Sequence, residues 1–209
     1  LFGKEQPFVM LPNGIDLDRY RNVPVTKAEM HAQLGIPEDA FVIGHIGRFE
    51  EQKNHRLLLK IVQHILKKHP NTYLLSVGAG SLEAEIHGLA NDLGISDHVL
   101  FLGEREDIAE LLKAMDVFLL PSLYEGLPIV AVEAQAANVK LVMSTEVSKD
   151  TVLSENVRFV PLDADLDRWE AEVMGEPKGN RPKPEMEAFD MLKTAKALEK
   201  IYNAKEVTA

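Results

Sequence analysis

An α/β fold, a parallel sheet covered by helices on both faces, follows from three features of the chain. Short apolar runs alternate with longer stretches whose apolar positions recur at three and four, the period of a helix. The short runs are unbroken rather than alternating, as strands covered on both faces must be. Several of them end in glycine-bearing turns, at Gly47, Gly78 and Gly103. Strands alternating with helices in this way imply right-handed βαβ units, and so a Rossmann-like sheet.

The elements follow in order. Residues 1–24 form a lead-in, with a short strand over Phe8 to Leu11 closed by Pro12-Asn13-Gly14, a strong turn signal. The core, residues 25–174, opens with a helix from Thr26 to Leu34, in which Thr26 caps the start and Glu29 completes a capping box. Phe41 to Ile46 is a strand ending in Gly47-Arg48, and Asn54 to Lys68 a helix with Leu57, Leu58, Ile61, Val62, Ile65 and Leu66 on one stripe. Tyr73 to Val77 is the next strand, ending in Gly78-Ala79-Gly80, and Ser81 to Leu93 a helix capped by Ser81. Val99 to Leu102 is a strand, and Asp107 to Ala114 a short helix with Asp107 as its cap. Val117 to Leu120 is a strand whose helix begins at Pro128, since proline lacks a donor and its fixed φ suits the first helical position. Leu141 to Met143 and Val157 to Val160 complete the strands. Residues 175–187, rich in Gly, Pro, Lys and Glu, read as a loop, and 188–204 as a last helix with an apolar stripe that needs a partner surface.

Composition bounds the function. At 209 residues, 45% hydrophobic and 27% charged, the chain can bury a sizeable core, and we read it as a single domain. A formal net charge of -10 argues against a general nucleic-acid binder, which needs a basic face. Without cysteine there is no disulfide framework and no thiolate nucleophile or ligand, and the seven histidines show no H-x-x-x-H spacing, so no metal is expected. No apolar run approaches the ~18 residues of a membrane span and no signal peptide opens the chain, so the expected location is cytoplasmic. The chain starts at Leu1 in polar, loop-like sequence and reads as a piece of something longer.

Chemistry is expected at the ends of the strands, where open parallel sheets hold ligands. After the strand ending at Leu120, the loop carries Glu125, Gly126 and Leu127, and the following helix carries Glu133. Helix N-termini attract phosphate, whereas carboxylates beside them suit sugar hydroxyls, so this spacing suggests phosphate flanked by polyols. Gly47-Arg48 and Lys53 add two cations, a bidentate guanidinium and a mobile ammonium. Taken alone, each cation also reads as a solvated surface group, and each glutamate as one of many in an acidic chain. Gly78-Ala79-Gly80 lacks the third glycine of a dinucleotide turn, which is replaced by Glu83. Arg105 can stack on a base, though a single loop arginine also reads as an exposed, idle group, and His45, on an apolar strand, reads as a core residue rather than a base.

Five motifs then stand in order: Pro12-Asn13-Gly14-Ile15-Asp16; Gly44-His45-Ile46-Gly47-Arg48 with Lys53-Asn54; Val77-Gly78-Ala79-Gly80; Phe101-Leu102-Gly103-Glu104-Arg105; and Leu120-Pro121-Ser122-Leu123-Tyr124-Glu125-Gly126-Leu127-Pro128 with Glu133-Ala134. Together they resemble the group 1 (family 4) glycosyltransferases, retaining enzymes of the GT-B fold, and most closely the branch that builds capsular polysaccharides and exopolysaccharides. The resemblance runs from about Val9 to Val160.

The resemblance implies that this chain is the C-terminal, donor-binding half of such an enzyme, with the N-terminal acceptor domain absent. Residues matching Arg48 and Lys53 hold the donor pyrophosphate; Glu133 matches the ribose-binding glutamate; Glu125, with Gly126 and Leu127, matches the donor-sugar contacts; Arg105 matches a position beside the base; and Gly47 and Gly78 are expected among the donor-binding residues. Glu125, Arg48 and Lys53 are the expected catalytic set, without a metal or cofactor. The donor is expected to be a UDP-sugar and the acceptor a glycan or lipid-linked glycan, with membrane contact only through the missing half. The isolated chain is expected to bind donor but not turn it over. Two departures are visible: Pro128 stands where the family commonly has glycine, and Ala137-Asn138-Val139-Lys140 replaces Ala-Gly-x-Pro. A sugar-nucleotide 2-epimerase of similar fold, and a non-catalytic nucleotide-binding module, are the alternatives.

Overall fold

Each strand supplies apolar side chains to both of its faces, and that builds two cores on one sheet. The structure, a computed structural model, describes residues 11–177, 179 and 182–206. The strands are β1 (Phe41–Ile46), β2 (Thr72–Val77), β3 (Val99–Phe101), β4 (Val117–Leu120), β5 (Lys140–Ser144) and β6 (Val157–Val160). They form one sheet in the order β3-β2-β1-β4-β5-β6, and every pairing is parallel. Along β4, Val117 and Leu119 enter one core while Phe118 and Leu120 enter the other. An unbroken apolar run is therefore what this sheet demands.

The helices are α1 (Leu17–Arg21), α2 (Lys27–Leu34), α3 (His55–Leu66), α4 (Glu83–Asp92), α5 (Ile108–Ala114), α6 (Ile129–Ala136), α7 (Leu166–Met174) and α8 (Met191–Glu206). One core gathers side chains of α1, α2, α5 and α6; the other gathers those of α3, α4 and α7 around fully buried Trp169. The order reverses between β1 and β4, so the loops leaving these two strands diverge and open a crevice at their C-terminal ends.

Several local expectations hold. Thr26 and Glu29 form the capping box of α2. Asn138 adopts φ 65°, so an asparagine makes the left-handed turn for which glycine is the usual residue. Lys140, the other departure in that turn, is buried, and its ammonium donates to the carbonyls of Val173 and Gly175.

Others are corrected. Pro128 is the N-cap of α6, at ψ 120°, and the helix starts one residue later, because nothing forces the prolyl ψ into the helical range. Ser81 does not cap α4, which begins at Glu83 after Leu82; its hydroxyl instead donates to Glu50 at 3.0 Å, tying this turn to the loop after β1. Asp107 stands at the N-cap of α5 but caps nothing, its carboxylate being taken by Arg105. Helices α1 and α7 lie where none was expected. The expected loop over 175–187 holds, in its described part, the start of a 3-10 turn, Pro184–Phe189, so the last helix begins at Met191. On α8, Leu192, Leu198 and Tyr202 are exposed. Phe8, Val9 and Met10 of the expected first strand lie outside the described residues. No helix among the described residues is long and apolar enough to cross a membrane.

Candidate functional site

The loop after β1 is shaped by a close crossing of two backbones. Gly78 has φ +133°, and a Cβ there would stand 2.2 Å from the carbonyl oxygen of Gly47. A Cβ on Gly80 would stand 2.6 Å from the carbonyl oxygen of Phe49. The Gly-Ala-Gly turn thus serves contact between the loops after β1 and β2, which explains the glycines without a dinucleotide. Ile46, Gly47, Arg48, Val77, Gly78, Glu104, Arg105, Glu106 and Ile108 line a cavity of about 660 Å³ over these strand ends. Four expected site residues, Gly47, Arg48, Gly78 and Arg105, are thereby brought to one wall. Arg48 is exposed, and among the described residues its guanidinium has no hydrogen-bond or ion-pair partner. It is a free cation on the lining of that cavity.

Lys53 reaches the site because Asn54 reverses the chain. Asn54 sits at φ 54° as the N-cap of α3, accepts from the N–H of Leu57, and donates its amide to the Pro121 carbonyl at 3.1 Å. That bond ties the start of α3 to the end of β4. The Lys53 stem packs across Gly47, where an added Cβ would lie 3.0 Å from it. Its ammonium meets Glu125 Oε1 at 2.5 Å, and Ser122 Oγ donates to the same oxygen at 3.2 Å. Glu125 is held in turn by the backbone: its N–H donates to the Glu146 carbonyl and its carbonyl accepts from Ser148 N–H. Gln52 completes the join, accepting from Leu123 N–H at 2.8 Å and donating its side-chain amide to the Tyr124 carbonyl at 3.0 Å.

Gly126 and Leu127 lie on a second cavity of about 630 Å³, with Leu11, Pro12, Asn13, Ser148, Asp150 and Phe189. The Lys53–Glu125 pair therefore links the loop of the first cavity to the loop of the second. Beyond it, α6 starts without a capping side chain; Ala131 N–H donates to the Pro128 carbonyl, and among the described residues the N–H groups of Ile129 and Val130 remain for an acceptor.

Glu133 is half-buried one turn into α6, and burial pushes its carboxyl up, against the opposing pull of Tyr20 and Arg19. Tyr20 of α1 donates its hydroxyl to Glu133 Oε1 at 2.6 Å. Arg105 spends its guanidinium on Asp107, with bonds of 2.8 and 2.6 Å, which fixes the loop and leaves its planar face for stacking. His45 is wholly buried, donating Nδ1–H to the Leu119 carbonyl at 2.8 Å, and burial holds it well below the usual imidazole range. It belongs to the core, as expected.

Sequence reasoning missed Tyr20, Arg19, Gln52 and Ser122. A signal existed for Tyr20: Asp16 caps α1 by accepting from Arg19 N–H, and Leu17 and Tyr20 stand three apart on its buried face. Five residues are too few for periodicity to speak. The described residues also bring together His64, Asp167 and Glu170, on α3 and α7, a group that no sequence spacing suggested; Lys68 lies 2.9 Å from Glu170 there.

Residues 26–160 match the family model described as glycosyl transferases group 1. EpsF of Bacillus subtilis (strain 168), named as a glycosyltransferase, is 36% identical over 203 residues, covering 93% of this chain and 53% of that protein. The UDP-Gal:alpha-D-GlcNAc-diphosphoundecaprenol alpha-1,3-galactosyltransferase of Escherichia coli is 32% identical over 139 residues, covering 65% of this chain and 36% of that protein. The crystal structure of Anabaena Alr3699/HepE in complex with UDP and glucose superposes with a TM-score of 0.79 at 20% identity, covering 93% of this chain and 56% of that one. At that identity the likeness shows the fold, a Rossmann-like half of the GT-B architecture. The chain spans about half the length or less of the relatives it matches.

Proposed function

Because the chain belongs to the group 1 glycosyl transferases, we propose that it is the donor-binding half of a retaining glycosyltransferase that moves a sugar from a nucleotide-sugar to a glycan or lipid-linked acceptor. The observation that carries this reading is the join at the crevice: Arg48, without a side-chain partner among the described residues, lines one cavity, and Lys53 from the same loop is bonded to Glu125 in the loop that lines the second. Arg48 takes the pyrophosphate bidentately, and the free N–H groups of α6 add a fixed positive end. Glu133 accepts from ribose hydroxyls, and Arg105 lies flat against the base. Glu125, Gly126 and Leu127 hold the transferred sugar.

Binding of the donor exchanges partners at the join. The pyrophosphate draws Lys53, and sugar hydroxyls replace the ammonium at Glu125. When the bond between the anomeric carbon and the pyrophosphate oxygen breaks, both bonding electrons stay on that oxygen, and Arg48, Lys53 and the helix end stabilise the charge without a metal. The acceptor hydroxyl attacks from the leaving-group face, gives its proton to the departing phosphate oxygen, and configuration is kept. Glu125 orients the sugar and forms no covalent bond to it.

UDP is the expected nucleotide, in keeping with the UDP named for the Escherichia coli relative and for the Anabaena structure. The pathway we favour is synthesis of a capsular or exopolysaccharide at the cytoplasmic face, with membrane contact and acceptor binding on a domain outside this chain. The chain by itself then binds donor and does not transfer it.

The test is calorimetric titration of the chain with UDP, GDP, ADP and NAD in the presence of a chelator, repeated on Arg48→Ala and Glu133→Ala. UDP binding that persists with chelator and falls about tenfold or more in each variant supports the reading. Binding only with magnesium, or with neither variant affected, refutes the assignment of these residues.

A further inference from the structure

Helix α1 approaches the ribose side of the site with one buried tyrosine. Tyr20 is 8% exposed, and its hydroxyl donates to Glu133 Oε1 at 2.6 Å. Among the described residues no other hydrogen bond reaches the Glu133 carboxylate, so Oε2 is left for a ligand. The helix that carries Tyr20 is itself fixed at several points. Asp16 caps it, its neighbour Ile15 exchanges backbone hydrogen bonds with Phe189 and Met191, and Arg19 donates to the Glu106 carbonyl at 2.5 Å, on the wall of the nucleotide cavity. A hydroxyl held this firmly sets the rotation of the carboxylate it touches.

Resting on the donor-site reading above, we propose that Tyr20 is the positioning residue of Glu133: it commits one carboxylate oxygen so that the other meets the ribose hydroxyls, and thereby sets how strongly the site prefers a ribonucleotide to its 2′-deoxy form. Burial, with the bond to Glu133, pushes the Tyr20 phenol above its ordinary range, so it stays a donor at every working pH. The same bond opposes the upward push of burial on Glu133 and so favours the charged acceptor that hydroxyls require. A phenylalanine at this position would fill the same volume but leave both the rotation and the charge of Glu133 less defined.

The experiment compares UDP with 2′-deoxy-UDP, or GDP with 2′-deoxy-GDP if the nucleotide panel selects guanine, on the wild-type chain, Tyr20→Phe, Glu133→Ala and the double variant. Wild type is expected to prefer the ribonucleotide. Tyr20→Phe is expected to cut that preference about tenfold while affinity for the deoxy form stays within about twofold. In the Glu133→Ala background, Tyr20→Phe is expected to change nothing further. Equal loss of both nucleotides in Tyr20→Phe, with a lower melting temperature, identifies a purely structural tyrosine and overturns the proposal. An unchanged preference in Tyr20→Phe also overturns it while leaving the donor site intact. A wild-type chain that binds no nucleoside diphosphate, or binds both forms alike, removes the ribose reading of Glu133 and this proposal with it.

Discussion

Replacing Glu125 with alanine breaks the ion pair between the loops that line the two cavities, and its cost can be worked from the geometry. Lys53 and Glu125 meet at 2.5 Å with side chains only 15% and 10% exposed. Exposed ion pairs contribute below about 1 kcal/mol, but removing one partner of an enclosed pair strands the other charge, at about 3–5 kcal/mol. The site is open at the sheet edge, so water reaches the stranded ammonium in part, and the low end, about 3 kcal/mol, is expected. For a chain of 209 residues that lowers Tm by about 6–12 °C. The double variant Lys53→Met with Glu125→Ala should recover most of this loss, since it strands no charge. UDP carries no sugar to use Glu125, and it gains an uncommitted Lys53, so it should bind Glu125→Ala about tenfold more tightly than wild type. Urea unfolding, calorimetry and UDP titration on the same samples measure all three effects. Glu125→Ala within about 0.5 kcal/mol of wild type, or a double variant no more stable than the single, would refute the pairing and the exchange of partners built on it.

Other expectations bear on the frame that holds the site. Gly78→Ala places a Cβ 2.2 Å from the Gly47 carbonyl oxygen at φ +133°, so it should destabilise by about 3 kcal/mol or more and displace Arg48; urea unfolding and UDP titration check both. Trp169→Ala empties the core under α7, where Trp169 is 0% exposed, and should cost about 3–5 kcal/mol in urea unfolding without altering nucleotide preference. His55, 2% exposed and stacked on Phe49 at 4.3 Å, is pushed down to about 4, first by burial and then by Lys53. Unfolded, it titrates near 6.5, so between about pH 4 and 6.5 the unfolded chain binds more protons and stability falls as pH falls. That contribution reaches about 3 kcal/mol, and unfolding free energies of His55→Leu across this range should show a slope flatter by about one proton, with His45 acting in the same direction and Glu133, whose carboxyl is pushed up, opposing it.

Where a residue's role was set by its neighbours in sequence, the sequence was enough. The parallel sheet was legible in unbroken runs such as Val117 to Leu120, because a strand covered on both faces has no polar side to show. The capping box of α2 was legible because its partners are three residues apart. The five motifs brought Arg48, Lys53, Arg105, Glu125 and Glu133 to notice, together with the family. Helix α7 was not legible, since Asp167, Arg168, Glu170 and Glu172 surround Trp169 and Val173 and the burial of those two depends on α3. Nor was the close backbone crossing at Gly78 and Gly80, which make room for another strand's loop. Ser81 and Asp107 stood where caps belong, yet Glu50 and Arg105 claimed their side chains, because a charged or longer-range partner outbid the local N–H. The bonds that assemble the site, Lys53 to Glu125 across 72 residues and Tyr20 to Glu133 across 113, depend on which strand ends the fold sets side by side. Local chemistry is written in spacing along the chain; which charge meets which is decided by the order of strands in the sheet, and only the tertiary structure holds that order.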